Sequence, residues 1–377
     1  MTLRGKILVG TLAALGVALA VLAVALSYNA GCAAPAPLAD GSPGMRAIVY
    51  RCYGPPAVLQ LEDVPRPVPA DDELLVQVHA AAANPLDWHY MRGEPFVMRL
   101  DSGLGRPKGS RLGVDYAGVV VAVGKDVTRF KPGDAVFGGR TGAFAEYLTA
   151  REGGAVVHKP NNISFEEAAA VPIAAITALQ AVRDKGKVQA GQRVLVNGAS
   201  GGVGTYAVQI AKVLGAEVTG VSSTRNLELV RSLGADHVID YTQQNFTAGT
   251  RPYDVIIDNV GSHSLLAYRR VLAPDGIVVM VGSTSRDPWV GPLARPLMAL
   301  VLGPFVSQRF VMLLAELNPA DMETLRGLLE TGQLRSVIDR RYGLVDVPTA
   351  ITYLEEGRAR GKVIINVKPS DRAPAAE

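Results

Sequence analysis

Read as a pattern of apolar and polar positions, the chain changes character three times. Residues 7–26 form an uninterrupted run of 20 uncharged, mostly apolar residues, long enough as a helix to cross a hydrocarbon layer of roughly 30 Å. From residue 45 come short apolar runs broken by glycine and proline, at 46–50, 74–80, 113–124 and 130–138. With no helical period among them, they predict a mostly β domain. Helical spacing begins near Ser164, where Ser164-Phe165-Glu166-Glu167 has the form of a capping box.

From residue 194 onward strands and helices alternate. Strands are expected at 194–196, 217–221, 238–240, 254–258 and 276–281, with helices after Gly204, at 226–233 and at 262–272. That order demands a parallel sheet with right-handed crossovers. Helices at 319–330 and 348–356 precede a last strand at 362–367, and a lone strand there most economically rejoins the first domain. The pattern divides the chain into an anchor and proline-rich linker (1–44), a first domain (45–168), an inserted parallel-sheet domain (169–305) and a return to the first (306–377). One stretch, 292–317, carries the apolar run 297–302 beside Pro304 and Phe305, and then a second at 310–314. It is too short to span a bilayer; plain core packing is the first expectation, ahead of a substrate entrance, a membrane-surface contact or a subunit contact.

Composition narrows this picture. A chain of 377 residues exceeds what one core usually supports, in keeping with two domains. Its net charge of +3 is small and dispersed, which argues against nucleic acid as a partner. Two cysteines, Cys32 and Cys52, exclude a disulfide framework and a four-cysteine zinc lobe. The apolar run exceeds the roughly 7–15 residues of a secretory signal core, so residues 7–26 read as a single-pass span in contact with membrane lipid. Asn29-Ala30-Gly31-Cys32 resembles a bacterial lipoprotein cleavage site, although Asn29 stands where that signal prefers an aliphatic residue.

The chemistry concentrates where the strand 194–196 meets a helix through Asn197-Gly198-Ala199-Ser200-Gly201-Gly202-Val203-Gly204. Gly198 suits a tight turn, Gly201 close approach of backbone to a pyrophosphate, and Gly204 close packing of helix on strand, with the helix N-terminus offering N–H groups to an anion. A strand before, a helix after and a second strand at 217–221 make this a dinucleotide site rather than a bare glycine pattern. That second strand ends in Ser222-Ser223-Thr224-Arg225, with no carboxylate to receive a ribose 2′-hydroxyl. Hydroxyls and a guanidinium suit a 2′-phosphate, so NADP(H) is expected over NAD(H), with Lys212 as a second positive charge. Ligands in such sheets lie beyond the carboxyl ends of the strands, which places Asn259, Val260, Gly282 and Ser283 at the nicotinamide half. The side of the membrane is contested: Arg4 and Lys6 precede the span and no Lys or Arg follows until Arg46, which puts the body outside. Supply of reduced cofactor favours a cytosol-facing body, the placement expected here.

Asn84-Pro85-Leu86-Asp87, Gly113-Val114-Asp115-Tyr116-Ala117-Gly118, Phe130-Lys131-Pro132-Gly133-Asp134, Gly142-Ala143-Phe144-Ala145-Glu146-Tyr147, Ala170-Val171-Pro172, the glycine turn, Leu233-Gly234-Ala235-Asp236 and Gly361-Lys362-Val363 together resemble the landmarks of the medium-chain dehydrogenase/reductase superfamily, and within it the zinc-independent quinone oxidoreductase and enoyl-reductase branch. The resemblance covers residues 45–367. It implies an α/β fold in which a GroES-like β domain, built from both ends of the body, carries an inserted Rossmann-type parallel-sheet domain; here one N-terminal transmembrane helix precedes it. It also implies an active site between the lobes, Thr177 against the nicotinamide, and a homodimer, the common assembly in this family.

The same resemblance bears on the metal. Zinc-dependent members hold the ion with a cysteine at the place of Asn84, a histidine at that of Val114 and a cysteine or acid near Ile173; none of these is a ligand here, so no zinc is expected. Without a Lewis acid, an unactivated ketone is hard to reduce, whereas hydride delivered to a quinone or an α,β-unsaturated carbonyl spreads charge onto an oxygen that hydrogen-bond donors can hold. Asn84 is the expected donor by family position, with Tyr90 or His89 as proton donor. Other readings remain: a metal-independent alcohol dehydrogenase, or a membrane-tethered dinucleotide-binding sensor or scaffold without turnover.

Overall fold

The computed structural model describes residues 2–34, 43–249, 252–285 and 287–367. In the first lobe, β1 (Gly44–Val49) and β2 (Gln60–Pro65) pair as an antiparallel ribbon. Strands β3 (Glu73–Ala83), β4 (Asp115–Val123), β5 (Ala135–Gly139), β6 (Tyr147–Arg151) and β7 (Val156–His158) build an antiparallel sheet around β3 and β4. The second lobe holds β8 (Arg193–Asn197), β9 (Glu217–Ser222), β10 (His237–Asp240), β11 (Tyr253–Asp258), β12 (Leu272–Met280) and β13 (Arg309–Met312). These run parallel in the order β10-β9-β8-β11-β12-β13. Finally β15 (Lys362–Asn366) pairs antiparallel with β3 and parallel with β14 (Ile338–Gly343), so the last strand does rejoin the first lobe.

The apolar patterns explain both sheets. In β8, Val194 and Val196 face a core shared with the helix Gly202–Val213, while Leu195 faces a second core containing Leu265 and Tyr268. A strand buried on both faces reads as a continuous apolar run, not an alternation. The first of these cores also takes in Ala80 and Ala82 of β3 and the helices Phe165–Ala169 and Pro172–Leu179, so the two lobes share packing. The capping box at Ser164 forms: its hydroxyl accepts from Glu167 N at 3.2 Å and its own N–H donates to Glu167 Oε2 at 2.8 Å.

Several expectations are corrected. The parallel sheet runs past residue 305, because Arg309–Met312 is its sixth strand; the return to the first sheet starts at β14. The stretch at 292–317 is not simply core: in the helix Gly291–Leu302, Leu297, Met298, Leu300 and Val301 are exposed, and Phe305 beyond it is 81% exposed. The two cysteines do pair, Cys32 with Cys52, and a Cys32 sulfur held in that bond does not carry a lipid thioether. An apolar helix, Leu3–Ser27, is present, with Leu12, Leu15, Val17, Leu19 and Val21 exposed. Most of the expected linker, residues 35–42, lies outside the described residues.

Candidate active site

The carboxyl ends of β8, β9, β11 and β12 bring the glycine turn and its partner loops together. Gly198 has φ 76°, and a Cβ there would lie 2.6 Å from Val260 Cγ2. At Gly204 a Cβ would fall onto the Gly198 carbonyl oxygen, so this glycine serves packing, as its sequence position suggests. Gly201 differs: it is the N-cap of the helix Gly202–Val213, and its Cβ would meet only the Gly198 oxygen at 3.5 Å. Space therefore lies over the N–H groups at the start of that helix, where an anion is favoured. Val203 packs partly buried against the shared core.

The loop after β9 sits beside this turn. Asn226, buried, donates to Ser200 Oγ at 3.1 Å and to Ser223 Oγ at 3.3 Å, while its own side-chain oxygen has no hydrogen-bond partner among the described residues. Ser222 is buried at the end of β9, and Arg225 is exposed in the following turn, where its guanidinium donates to Arg358 O at 2.8 Å and so reaches the other lobe. Lys212 is not in this group. It lies at the far end of the helix Gly202–Val213 and pairs with Asp236 at 2.8 Å, donating also to Ala216 O. A helix rises about 1.5 Å per residue, which carries Lys212 roughly 15 Å from the glycine turn, on the side where the strands begin. Its expected role at the 2′-phosphate is corrected.

Beyond β11, Asn259 donates to Asn197 O at 3.0 Å, and its side-chain oxygen is buried without a partner among the described residues. Gly282 is obligatory, since a Cβ would strike the Asn259 carbonyl, and Ser283 Oγ accepts from Ser285 N at 3.1 Å. Asp258, fully buried, holds this corner: it accepts from Asn197 Nδ2 at 2.9 Å and Gly261 N at 2.9 Å and pairs with Arg295 at 2.7 Å. Thr177, in the helix Pro172–Leu179, spends its hydroxyl on Ile173 O at 2.6 Å. A dinucleotide fits this arrangement: an open cradle at Gly201, hydroxyls and a guanidinium at the ribose end, and two buried oxygens, on Asn226 and Asn259, in want of donors.

Facing the cradle, the first lobe presents a buried polar cluster. Gly361 N donates to Ser200 O at 2.8 Å, which seats Lys362 beside Gly202, whose Cβ would meet Lys362 Cδ at 3.3 Å. Lys362 is 3% exposed; its ammonium donates to Asn84 Oδ1 and to Asp115 Oδ2, the latter at 3.0 Å. Asn84 Nδ2 donates in turn to Asp115 Oδ2 at 2.9 Å and to Ala82 O at 3.3 Å. Both amide protons of Asn84 are thus spent inside the protein, which corrects its expected role as a donor to substrate. The ammonium has three N–H groups and two are given to these partners, and Lys362 is the member of this cluster that sequence reasoning did not single out. Its only signal was membership of the Gly361-Lys362-Val363 landmark.

Asn84 is also the N-cap of the helix Pro85–Arg92, and its N–H donates to Asp87 Oδ2 at 2.7 Å. Asp87 accepts a second bond from Gly113 N at 3.0 Å, yet burial dominates and pushes its carboxyl up to about 7. Farther along the helix, His89 donates from Nδ1 to Glu94 O at 2.6 Å, and burial lowers its pKa, leaving a neutral ring with Nε2 as acceptor. Tyr90 lies with Tyr50, Tyr53 and Asp87; burial foremost, then those neighbours, raises the Tyr50 hydroxyl.

Two lobes, one with a dinucleotide cradle and the other with a buried polar floor, define an oxidoreductase of the two-domain dehydrogenase type. Comparison with known proteins agrees. Residues 70–161 match the family described as alcohol dehydrogenase GroES-like domain, and residues 233–365 the one described as zinc-binding dehydrogenase. The chain is 37% identical over 340 residues to the 2-methylene-furan-3-one reductase of Solanum lycopersicum, covering 86% of this chain and 80% of that one. It is 34% identical to the mitochondrial NAD(P)H oxidoreductase RTN4IP1 of Bos taurus, covering 78% and 82%. The structure of the quinone oxidoreductase from Coxiella burnetii superposes with a TM-score of 0.76 at 33% identity, covering 86% of this chain and all of that one. The chain belongs to the medium-chain dehydrogenase/reductase superfamily, in its quinone oxidoreductase and enoyl-reductase-like branch, and by that membership is an NAD(P)H-dependent oxidoreductase. Among the described residues no three of His, Cys, Asp and Glu gather as a metal site.

Proposed function

We propose that the protein reduces quinones or α,β-unsaturated carbonyl compounds with NADPH and without a metal, held to a membrane by residues 7–26. One observation carries this reading: an open glycine cradle faces a buried ammonium, Lys362, bonded to Asn84, the position that the resemblance matches to a zinc ligand. When bound, NADPH supplies the hydride. The N–H groups after Gly201 hold the pyrophosphate, while Ser200, Ser222, Ser223 and Arg225 hold the 2′-phosphorylated ribose. Thr177, Asn259, Val260, Gly282 and Ser283 flank the nicotinamide half. Lys362, oriented by Asn84 and Asp115, places positive charge and a free N–H where an acceptor's oxygen gains charge. Conjugated acceptors suit this because their anion is already delocalised. Tyr90 is the better placed proton donor of the two on its helix, since a neutral His89 that gives its Nδ1 proton to Glu94 has none to spare.

Names of relatives support the substrate class: one is a 2-methylene-furan-3-one reductase and a solved neighbour is a quinone oxidoreductase. For the membrane side, the paired Cys32 and Cys52 together with the charges of Arg4 and Lys6 support a body on an oxidising face, against the cytosolic expectation. A screen of quinones, enals and simple alcohols with both reduced and oxidised cofactors tests the reading. NADPH consumption with the conjugated acceptors is expected; alcohol oxidation alone would favour the metal-independent alcohol dehydrogenase, and binding without consumption the sensor. Arg225→Ala is expected to weaken NADPH about tenfold and NADH little, the scale of one charge-assisted contact.

A further inference from the structure

The segment after the apolar helix is not a free tether. Ala30 N donates to Gly105 O at 2.9 Å, and Asn29 bridges to Gly105. The Arg99 guanidinium, 1% exposed, donates from Nη1 to Leu26 O at 3.0 Å and Tyr28 O at 3.2 Å. Its other nitrogens donate to Gly93 O at 2.8 Å and Arg92 O at 3.2 Å. One buried cation thus receives the last carbonyls of two helices, Leu3–Ser27 and Pro85–Arg92, whose C-terminal ends carry partial negative charge. It also lies 4.4 Å from the Tyr53 ring centroid and 4.6 Å from that of Phe96. Phe96 then crosses to the cofactor lobe: its N–H donates to Pro288 O at 2.7 Å, and its ring stands edge-on to Trp289 at 4.8 Å. At the other end of the strap, Cys32 is bonded to Cys52, with Cα atoms 4.6 Å apart, beside Tyr53.

We propose that the Cys32–Cys52 bond is a redox latch: it pins residues 26–32 against Arg99 and thereby orders the loop 93–105, which closes the cleft mouth through Phe96. Closing the latch breaks two S–H bonds and forms one S–S bond. The two electrons and two protons pass to a small-molecule disulfide, which leaves as two thiols; a dithiol reverses the exchange. In the reduced protein the strap keeps its hydrogen bonds to Gly105 and Arg99 and the packing of Tyr28 and Ala30 beside Gly105 but loses its covalent tie, so residues 26–32 and 93–105 exchange their amides faster. The consequence for turnover rests on the reductase reading above, whereas the ordering of the loop does not.

The test uses the full chain in detergent, equilibrated with oxidised glutathione or with dithiothreitol. Intact mass after denaturing alkylation is expected to show no free thiol in the first and two in the second. Amide exchange in 26–32 and 93–105 should rise on reduction, with the cofactor turn 198–204 unchanged. With the dithiothreitol removed anaerobically, KM for a tetrasubstituted benzoquinone, which offers thiols no open ring position, should rise about fivefold on reduction, the scale of one net hydrogen bond, with NADPH affinity unaltered. Cys32→Ser should behave as the reduced form in both buffers, and because Cys32 is exposed this variant is expected to fold. Two free thiols after oxidation, equal exchange in 93–105 in both states, or an acceptor KM indifferent to redox state would overturn the latch. A difference in exchange without turnover on any acceptor would support the latch and overturn the reductase reading instead.

Discussion

Lys362, Asn84 and Asp115 form the smallest unit of the site, and their energetics are those of buried charge. Removing the ammonium leaves the fully buried Asp115 carboxylate with Asn84 and Ile173 N as its partners among the described residues. Lys362→Met is therefore expected to destabilise by roughly 3–5 kcal/mol in urea unfolding. Adding Asp115→Asn should restore most of that stability without restoring turnover, and recovery of both would make the ammonium merely structural. Asp87 sets a pH dependence. Its carboxyl sits near 7 in the fold against about 4 in the unfolded chain, so the folded state binds more protons between these values. Stability should fall as pH rises from about 4 to about 7, by about 1.4 kcal/mol per unit of difference, and Asp87→Asn should flatten that slope; an unchanged slope would refute it. Of these residues, Asn84 and Asp87 were legible from a local motif. The Lys362–Asp115 pair was not, because 247 positions separate the partners and only the return of β15 beside β3 brings them together.

Among elements, the β8 turn and its helix were legible because one contiguous stretch builds them, and the fold assigns their glycines different work. Gly204→Ala would drive a methyl into the Gly198 carbonyl, whereas Gly201→Ala meets only an ordinary 3.5 Å contact at φ −81°. Thermal unfolding and NADPH binding are expected to separate them: Gly201→Ala keeps the wild-type Tm and loses at least about tenfold in affinity, while Gly204→Ala loses several degrees. Loss of Tm in both would show that Gly201 also serves packing. Strands β13 and β14 escaped the sequence pattern for a physical reason. Both are short edge strands, partly exposed; β14 carries no apolar run, and the run 310–314 that holds most of β13 is too short to tell strand from helix by periodicity. Lys212 misled because its charge was weighed without its distance along the helix, ten residues from Gly202 at about 1.5 Å each.

For the molecule as a whole, the division into two lobes followed from counting strands and helices, while their joint core and the Cys32–Cys52 bond did not. Ala80 and Ala82 pack with the helices of the other lobe because β3 is buried on both faces. Two cysteines 20 positions apart carry no pattern that says they meet. The lobes close a cofactor cradle over a buried cation, and the central claim is that hydride passes between them to the β-carbon of a conjugated acceptor. The most direct measurement supplies NADPH deuterated on its transferable position, an enone and a chelator, and locates the label by mass spectrometry and NMR. One deuterium at the β-carbon for each NADPH consumed is the predicted result. Deuterium on the carbonyl carbon, or none transferred once the chelator is present, would contradict it.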